Sequence, residues 1–484
     1  MSWLAASPVL VPMATLVAAA LVQKRPAAQT WVSYVGLIVF LACALALTVE
    51  AHQGVAVRSV FGDWGAPYGI EFYVDRLSAS MLLITAIMGL ASLVFLASDA
   101  DTLPRHPLLL PLMHGLLLGV GGSFATADLF NLYVWFEVVL ICALGLLAIG
   151  GRADQLDATF KYFVLNIIGT LLLLAAVGVI YGMTGHLNYD ALAHAATQLS
   201  PWMLGLMVSL LLLALLIKSG AFPLYAWLPA AYHTLPAPAL GLFAGLLTML
   251  GVYAVLRLLG DVFAIAPPLV FEALGWIAAA SMLFGVLGAA YHWDMRRILA
   301  FHTVSQVGYI LLAIALASQA GNAAALVYTV HHFIVKANLF LIAAMIWRLT
   351  GNYDLRKIGG LYKARPWLGV LFLFVALSLV GIPPLSGFWA KFVVLHEALA
   401  QGRYVWTFIA LLVSVLTLYS MVKIWMEAFW KPHPDKNWSL PAQTRLWPAW
   451  VATVGLAALT LAISLHPQPL IEFAQAAALA LGAR

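Results

Sequence analysis

Apolar runs of about twenty residues follow one another along this chain with barely a pause, and each is long enough to cross a bilayer as a helix. They fall near 3–22, 30–50, 76–97, 107–127, 129–150, 160–183, 202–230, 236–259, 267–290, 296–318, 322–349, 365–399, 403–429 and 446–466. The pattern predicts an all-α polytopic membrane protein of about fourteen transmembrane helices with almost no mass outside the membrane. Lys24 and Arg25 follow the first run and no basic stretch precedes it, so it reads as a retained helix and not a cleaved signal peptide. Composition agrees: 64% of residues are hydrophobic and 9% charged, against the about 25% charged of a soluble domain. A soluble enzyme, a nucleic-acid binder and a disordered scaffold are excluded.

The few charges carry the remaining information. Lys24, Arg25, Arg105, Arg152, Lys161, Arg296, Arg297, Arg348, Arg356, Lys357, Lys363, Arg365, Lys431, Lys436 and Arg445 fall in alternate connectors. Arg58, Arg76, Arg257, Arg403 and Arg484 fall on the other side. The positive-inside rule makes the first set cytoplasmic, with both termini outside the cytoplasm, in a multi-pass protein of the cell inner (plasma) membrane. Lys423, near the cytoplasmic end of its run with Glu427 one turn on, is expected to snorkel to the interface. Asp294 and other acidic residues at run ends read as helix caps or solvated loop charges.

Cys43 and Cys142 lie within apolar runs and read as free thiols. No CxxC, GxGxxG, Walker sequence or metal-type Cys/His spacing is present in the sequence, so neither cofactor nor metal is expected, and any redox or ATP energy must come from elsewhere.

Two runs are too long and are broken in the middle. One reads Lys218-Ser219-Gly220-Ala221-Phe222-Pro223, the other Gly381-Ile382-Pro383-Pro384-Leu385-Ser386-Gly387-Phe388-Trp389-Ala390-Lys391. Proline removes a backbone donor and frees carbonyls, which is tolerated at membrane depth only inside protein or beside a watery cavity. Broken helices mark transport sites. The lysine precedes the first break and follows the second, and five runs separate them, which fits two inverted five-helix units, spans 4–8 and 9–13, each with its fourth helix broken. The remainder of each half offers no clear sequence echo. The expected organisation is three N-terminal helices (1–106), a first unit (107–259), a second unit (260–429), and a cytoplasmic connector, last helix and short C-terminal segment (430–484).

Glu137, Lys218, Lys336 and Lys391 are the charges at membrane depth, where each costs on the order of 2.5–3.5 kcal/mol on insertion scales. Lys218 is the natural partner of Glu137. A static buried ion pair and a proton relay both account for the two, and the break beside the lysine favours the relay. His332 and Lys336 share a helix face at i, i+4, while His331 points elsewhere. His302 and His332 read either as satisfied core histidines or as relay members.

The segments Gly69 to Ser78, Asp128-Leu129-Phe130-Asn131-Leu132-Tyr133-Val134-Trp135-Phe136-Glu137, Lys218 to Pro229, Arg297-Ile298-Leu299-Ala300-Phe301-His302 through Tyr309, and Leu418 to Trp425 carry a resemblance over nearly the whole chain. It resembles the antiporter-like membrane subunits of the complex I superfamily, most closely the D subunits of Mrp-type multisubunit Na+/H+ antiporters. The resemblance implies fourteen helices with two inverted units, a proton-handling pair of Glu137 and Lys218, a central axis carried by His331 and Lys336, and Lys391 at its end. Such subunits usually have a lysine where this chain has Met249, in Leu247-Thr248-Met249-Leu250-Gly251-Val252-Tyr253. The link between Lys218 and His331 must then use water, Thr248 or another residue, or be weaker than in such relatives. His332 stands where an acidic residue is common.

The function expected is a proton-translocating membrane subunit of a monovalent cation (Na+)/proton antiporter, an ion transporter subunit and not an enzyme. Its partners would be other membrane subunits of a hetero-oligomeric complex, protons, Na+ or another monovalent cation, and the lipid bilayer, with no nucleic acid. The alternatives are the same relay within a NADH-quinone oxidoreductase, membrane hydrogenase or inorganic-carbon uptake complex, and a scaffold with a frozen proton path, for which Met249 is the support.

Overall fold

The computed structural model describes residues 3–61, 64–65, 69–99, 106–441 and 446–481. Arg105, Arg445 and Arg484 lie outside the described residues. Within them the chain is helical throughout, apart from one hairpin between the second and third long helices. The first helices are α1 (Trp3–Leu21) and α2 (Pro26–His52), then the hairpin strands β1 (Val57–Val60) and β2 (Glu71–Val74), paired antiparallel with Val57 opposite Val74. Next come α3 (Arg76–Leu96), α4 (Leu109–Ala125), α5 (Leu129–Ala148), α6 (Ala153–Thr184), the short α7 (Tyr189–Ala196), α8 (Pro201–Ser219), α9 (Trp227–Tyr232) and α10 (Ala237–Arg257). The second half holds α11 (Pro268–Tyr291), α12 (Met295–Ala315), α13 (Gln319–Thr350), α14 (Leu361–Ala364), α15 (Pro366–Val380), α16 (Ser386–Ala400), α17 (Tyr404–Ile424), α18 (Trp447–Leu465) and α19 (Gln468–Ala480).

Among the described residues 12 helices are long and apolar enough to cross a membrane. Two shorter apolar helices, α4 and α15, occupy predicted runs, so each of the fourteen runs has a helix. The long runs 202–230 and 365–399 are split where the sequence placed the breaks, into α8 with α9 and α15 with α16. The hairpin and α7 have no counterpart in the sequence expectation, because both are short elements in connectors whose only support is packing on the helix ends.

Lipid-facing and interior helices separate by burial. The most apolar stretch of α10, with its continuation to Val262, is 100% buried, those of α12 and α13 are 94% and 83% buried, and that of α2 is 28% buried. The interior helices pack on one another, α10 against α13, and α12 against both. Hydrophobicity does not separate helices in lipid, so small residues and polar contacts set this order. Gly251 is one such position, since a Cβ there would lie 2.6 Å from the Ser219 backbone nitrogen. This close contact presses α10 against the end of α8.

Similar caps and turns recur around α5–α6 and around α12–α13. Asp128 caps α5 and Asp294 caps α12, each accepting backbone N–H bonds from the first turn. The helices that follow, α6 and α13, both have 32 residues and both end Thr-Gly with the glycine left-handed. Each cap residue then forms a short antiparallel bridge, Asp128 with Asn188 and Asp294 with Asp354.

One charge sits otherwise than the sequence suggests. Arg257, expected at the membrane border, has a side chain only 2% exposed and lies in a buried network. Its guanidinium donates twice to the Asp75 carboxylate at 2.7 Å, and also to Asp261 at 3.3 Å and the Ser78 hydroxyl at 3.0 Å. Two carboxylates, one just before α3 and one just after α10, make this burial sustainable. Lys423 extends to the end of the neighbouring helix, as a snorkelling lysine does. Its ammonium donates to the carbonyls of Ala290 and His292, both at 2.7 Å, capping the end of α11, while Glu427 pairs with Lys431. Free carbonyls at a helix C-terminus attract a cation.

Candidate functional site

The first break is closed from several sides. Gly220 adopts the left-handed conformation (φ 67°) that ends α8, and Ala221 N–H returns to the Leu216 carbonyl at 3.0 Å. Trp227 on α9 donates its indole N–H to the Ile217 carbonyl at 2.9 Å, and the Ser281 hydroxyl of α11 accepts from Phe222 N–H at 2.9 Å. This clamp fixes Lys218 in the last turn of α8. The buried ammonium donates to the Thr170 hydroxyl at 2.7 Å and the Asn166 carbonyl at 3.2 Å, both on α6. A cavity of about 20 Å³ adjoins it, lined by Phe136, Tyr162, Asn166 and Leu247 among others, large enough for one water.

Glu137 lies on α5, and α6 packs against both α5 and α8. Glu137 and Lys218 form no ion pair. The carboxylate lies within electrostatic range of Lys218, Tyr133 and Tyr162, and its Oε1 is buried without a protein hydrogen-bond partner.

The second break has the same ending with the lysine on the far side. Gly381 is left-handed (φ 92°) and ends α15. Lys391, from α16, reaches back across the break and donates to the Val380 carbonyl at 2.7 Å. Its ammonium also donates to the Ser414 hydroxyl at 3.0 Å and sits 4.8 Å from the centre of the Tyr309 ring.

Polar side chains line α12 and α13 between the breaks. Lys336 is fully buried and donates to the Leu299 carbonyl of α12 at 2.7 Å. His302 shares a 2.5 Å hydrogen bond between its Nε2 and the Ser420 hydroxyl, and His331 one of 2.9 Å between its Nδ1 and the Ser386 hydroxyl. Tyr328 donates to the Gln306 side-chain oxygen at 2.5 Å, stacks on Tyr309 with ring centres 5.4 Å apart, and meets the His331 ring edge-on. Tyr309 in turn shares a 2.8 Å hydrogen bond with Ser414, the hydroxyl that Lys391 also holds. His331 and Lys391 are thereby connected through aromatic rings and hydroxyls.

Thr248 lies beside the first break, packed near Gly220, and Met249 is fully buried in α10. The Thr248 hydroxyl, both His332 nitrogens, His302 Nδ1, His331 Nε2 and Gln306 Nε2 are buried with no protein hydrogen-bond partner. Buried polar atoms are satisfied in the great majority of cases, and a run of exceptions along one path requires a physical account.

Sequence reasoning passed over Asn166, Thr170, Gln306, Tyr309, Tyr328, Ser386 and Ser414. Some were readable: Asn166 and Thr170 are four apart, and His302, Gln306 and Tyr309 follow at i, i+4 and i+7, which is a polar stripe on an otherwise apolar helix.

Residues 126–417 match the family described as NADH:quinone oxidoreductase/Mrp antiporter, TM. The chain belongs to this family. The D subunit of the Na+/H+ antiporter of Alkalihalophilus pseudofirmus is 36% identical over 469 residues, covering 96% of this chain and 94% of that protein. A chain in the structure of the Mrp complex from Dietzia sp. DQ12-45-1b superposes with a TM-score of 0.93 at 31% identity, covering 100% of this chain and 98% of that one. A chain of the membrane-bound sulfane sulfur reductase, an archaeal respiratory membrane complex, superposes with a TM-score of 0.91 at 25% identity, covering 99% of this chain and 98% of that one. The fold therefore serves both antiporter and respiratory assemblies.

Proposed function

We propose that this protein is the proton-carrying D-type component of a multisubunit monovalent cation/proton antiporter of the plasma membrane. The observation that carries the reading is the placement of Lys218, Lys336 and Lys391, all buried and all hydrogen-bonded to neutral oxygens only. An ammonium without a carboxylate partner at this depth is expensive to keep charged. Such a group exchanges its proton readily with a neighbour, whereas a locked ion pair does not. Glu137 and Lys218 would load or unload the first unit, His331 and Lys336, with His302, His332 and Thr248, would carry the middle, and Lys391 would end the relay. Water on the unpartnered nitrogens and hydroxyls would complete the path that Met249 interrupts. Exchange of one proton for one Na+ moves no net charge, so driving Na+ against a tenfold gradient, at about 1.4 kcal/mol, draws on the proton concentration gradient or on additional protons, each worth about 2.3 kcal/mol across about 100 mV. The distribution of basic residues supports both termini lying outside the cytoplasm. The other membrane subunits of the complex are its direct partners, and the cation is Na+ or a close analogue.

The test is antiport in inverted vesicles from cells that lack endogenous antiporters and express the whole complex. Lys218→Ala and Lys391→Ala are expected to abolish Na+-dependent proton movement while the complex still assembles. Wild-type antiport in either variant refutes the relay. The likeness to a respiratory complex supports a second reading, in which the same relay serves a redox machine. Affinity purification from the native membrane separates the two, since small membrane subunits alone favour the antiporter and hydrophilic redox subunits favour the alternative.

A further inference from the structure

A cavity of about 170 Å³ opens between α13, α16 and α19, lined by Ala323, Val327, Phe392, His396, Glu397 and Gln475 among others. Resting on the relay reading above, we propose that this cavity is the external proton port of the relay, with Glu397 and His396 as its titratable groups, Val327 at its floor and α19 as its cover.

The placement follows the helix geometry. Phe392, which lines the cavity, follows Lys391 on α16, while the Lys391 ammonium turns toward Val380 and Ser414, so the nearer relay member to the cavity is His331. On α13, Val327 lies four residues before His331, a separation of about 6 Å along the axis. His331 packs against α16 at Gly387, where a Cβ would come within 3.0 Å of Nε2, the nitrogen that has no protein partner. The small side chains of Ala320, Ala323 and Ala324 leave the space that the cavity occupies. Val327 lines the cavity from α13 and gives its floor an apolar side chain, and apolar floors of this kind gate by wetting and dewetting.

Glu397 is held for this task. Its Oε1 accepts from the Ser318 hydroxyl and from the Gln401 amide, both at 2.7 Å. Ser318 caps α13, so the carboxylate stands at the positive end of that helix. Charged and titratable groups stand on several sides: Arg76 of α3 donates to the Ala476 carbonyl of α19 at 3.3 Å, His52 stacks on Phe473 of α19, and α10, packed on α13, brings Arg257 with its partners Asp75 and Asp261. On α16 there are Lys391 and His396, on α13 His331, His332, Lys336 and, at its far end, Arg348, and on α19 only Glu472, exposed and bonded by Gln468. Helices α15 and α18 carry none, α12 and α17 have Arg296, Arg297 and Lys423 at their opposite ends with His302 midway, and the nearby Arg403 is paired with Glu272 at 2.7 Å.

The test uses the whole complex in cells or vesicles. Glu397→Gln retains an acceptor for Ser318 and Gln401 and loses the ionisable carboxylate. It is expected to shift the dependence of antiport on external pH and to slow antiport on the order of tenfold at alkaline external pH, with unchanged Na+ dependence and assembly. In a background with Cys43→Ser and Cys142→Ala, Ala323→Cys is expected to react with a membrane-impermeant thiol reagent added outside, and the modification to block antiport. An external-pH profile identical to wild type in Glu397→Gln, or a cysteine at 323 that is unreactive or harmless when modified, overturns the port. If Lys391→Ala is inactive while Glu397→Gln keeps the wild-type profile, the relay stands and the port falls. If both variants are fully active, the relay reading itself has failed.

Discussion

Lys391 caps the helix that its own break interrupts: its ammonium donates at 2.7 Å to the Val380 carbonyl, which the left-handed Gly381 leaves exposed at the end of α15. The same group therefore closes the break and ends the proposed relay. Lys391→Ala is expected to leave that carbonyl unsatisfied, a cost of about 1–3 kcal/mol, and to abolish antiport. Lys391→Arg keeps a cation that does not give up its proton. It should restore part of the thermal stability of the complex without restoring transport. Thermal melting of the purified complex and vesicle antiport, measured side by side, check the separation of the two roles.

Lys218 relies on a different helix. Its nearer acceptor is the Thr170 hydroxyl at 2.7 Å. Thr170→Val removes that acceptor and conserves volume, and a hydrogen bond to a charged group is worth about 1.5–3 kcal/mol. Antiport is expected to fall by at least about tenfold, since each 1.4 kcal/mol corresponds to a factor of ten. Thr170→Ser supplies the hydroxyl again and should transport at close to the wild-type rate. Rates of proton-gradient dissipation on adding Na+ measure both.

How much was legible in the sequence depends on what kind of interaction fixed each part. Span number and the two breaks were readable, because hydropathy and Pro/Gly chemistry act locally. The lysines were readable too, since a charge at membrane depth is visible as an exception. Partner identity was not. Asn166 accepts through its backbone carbonyl, which is invisible in a side-chain inventory, and charge alone pairs Glu137 with Lys218 although the ammonium bonds to α6 instead. Arg257 misleads for a related reason: it comes near the end of its run, where a basic residue ordinarily meets solvent. Only the fold brings Asp75, from far back in the chain, to meet it.

That network makes a stability prediction with little expected effect on proton transfer. Arg257 is bonded to Asp75, Asp261 and Ser78, and Tyr253 joins the same cluster through its hydroxyl. Removing one partner of a buried ion pair strands the other and costs about 3–5 kcal/mol. Arg257→Ala is expected to lower the melting temperature of the complex sharply. Asp75→Asn combined with Arg257→Gln should recover part of the loss, because fewer unpaired charges remain. A double variant as unstable as the sum of the two single variants would show the residues to be uncoupled.

Thr248 allows stability and function to be pulled in opposite directions. Buried hydroxyls in other helices here, those of Thr85, Ser123, Thr303, Thr329 and Thr417, donate to the carbonyl four residues back. The Thr248 hydroxyl has no protein partner at all, although it is fully buried beside the first break. Replacing an unsatisfied buried polar group by an apolar isostere removes a desolvation penalty of about 1–3 kcal/mol. Thr248→Val is accordingly expected to raise the melting temperature slightly. If the hydroxyl carries protons past Met249, the same variant slows antiport and Thr248→Ser preserves it. A Thr248→Val complex that is more stable and fully active would remove this residue from the relay and leave water alone to bridge Lys218 and the histidines.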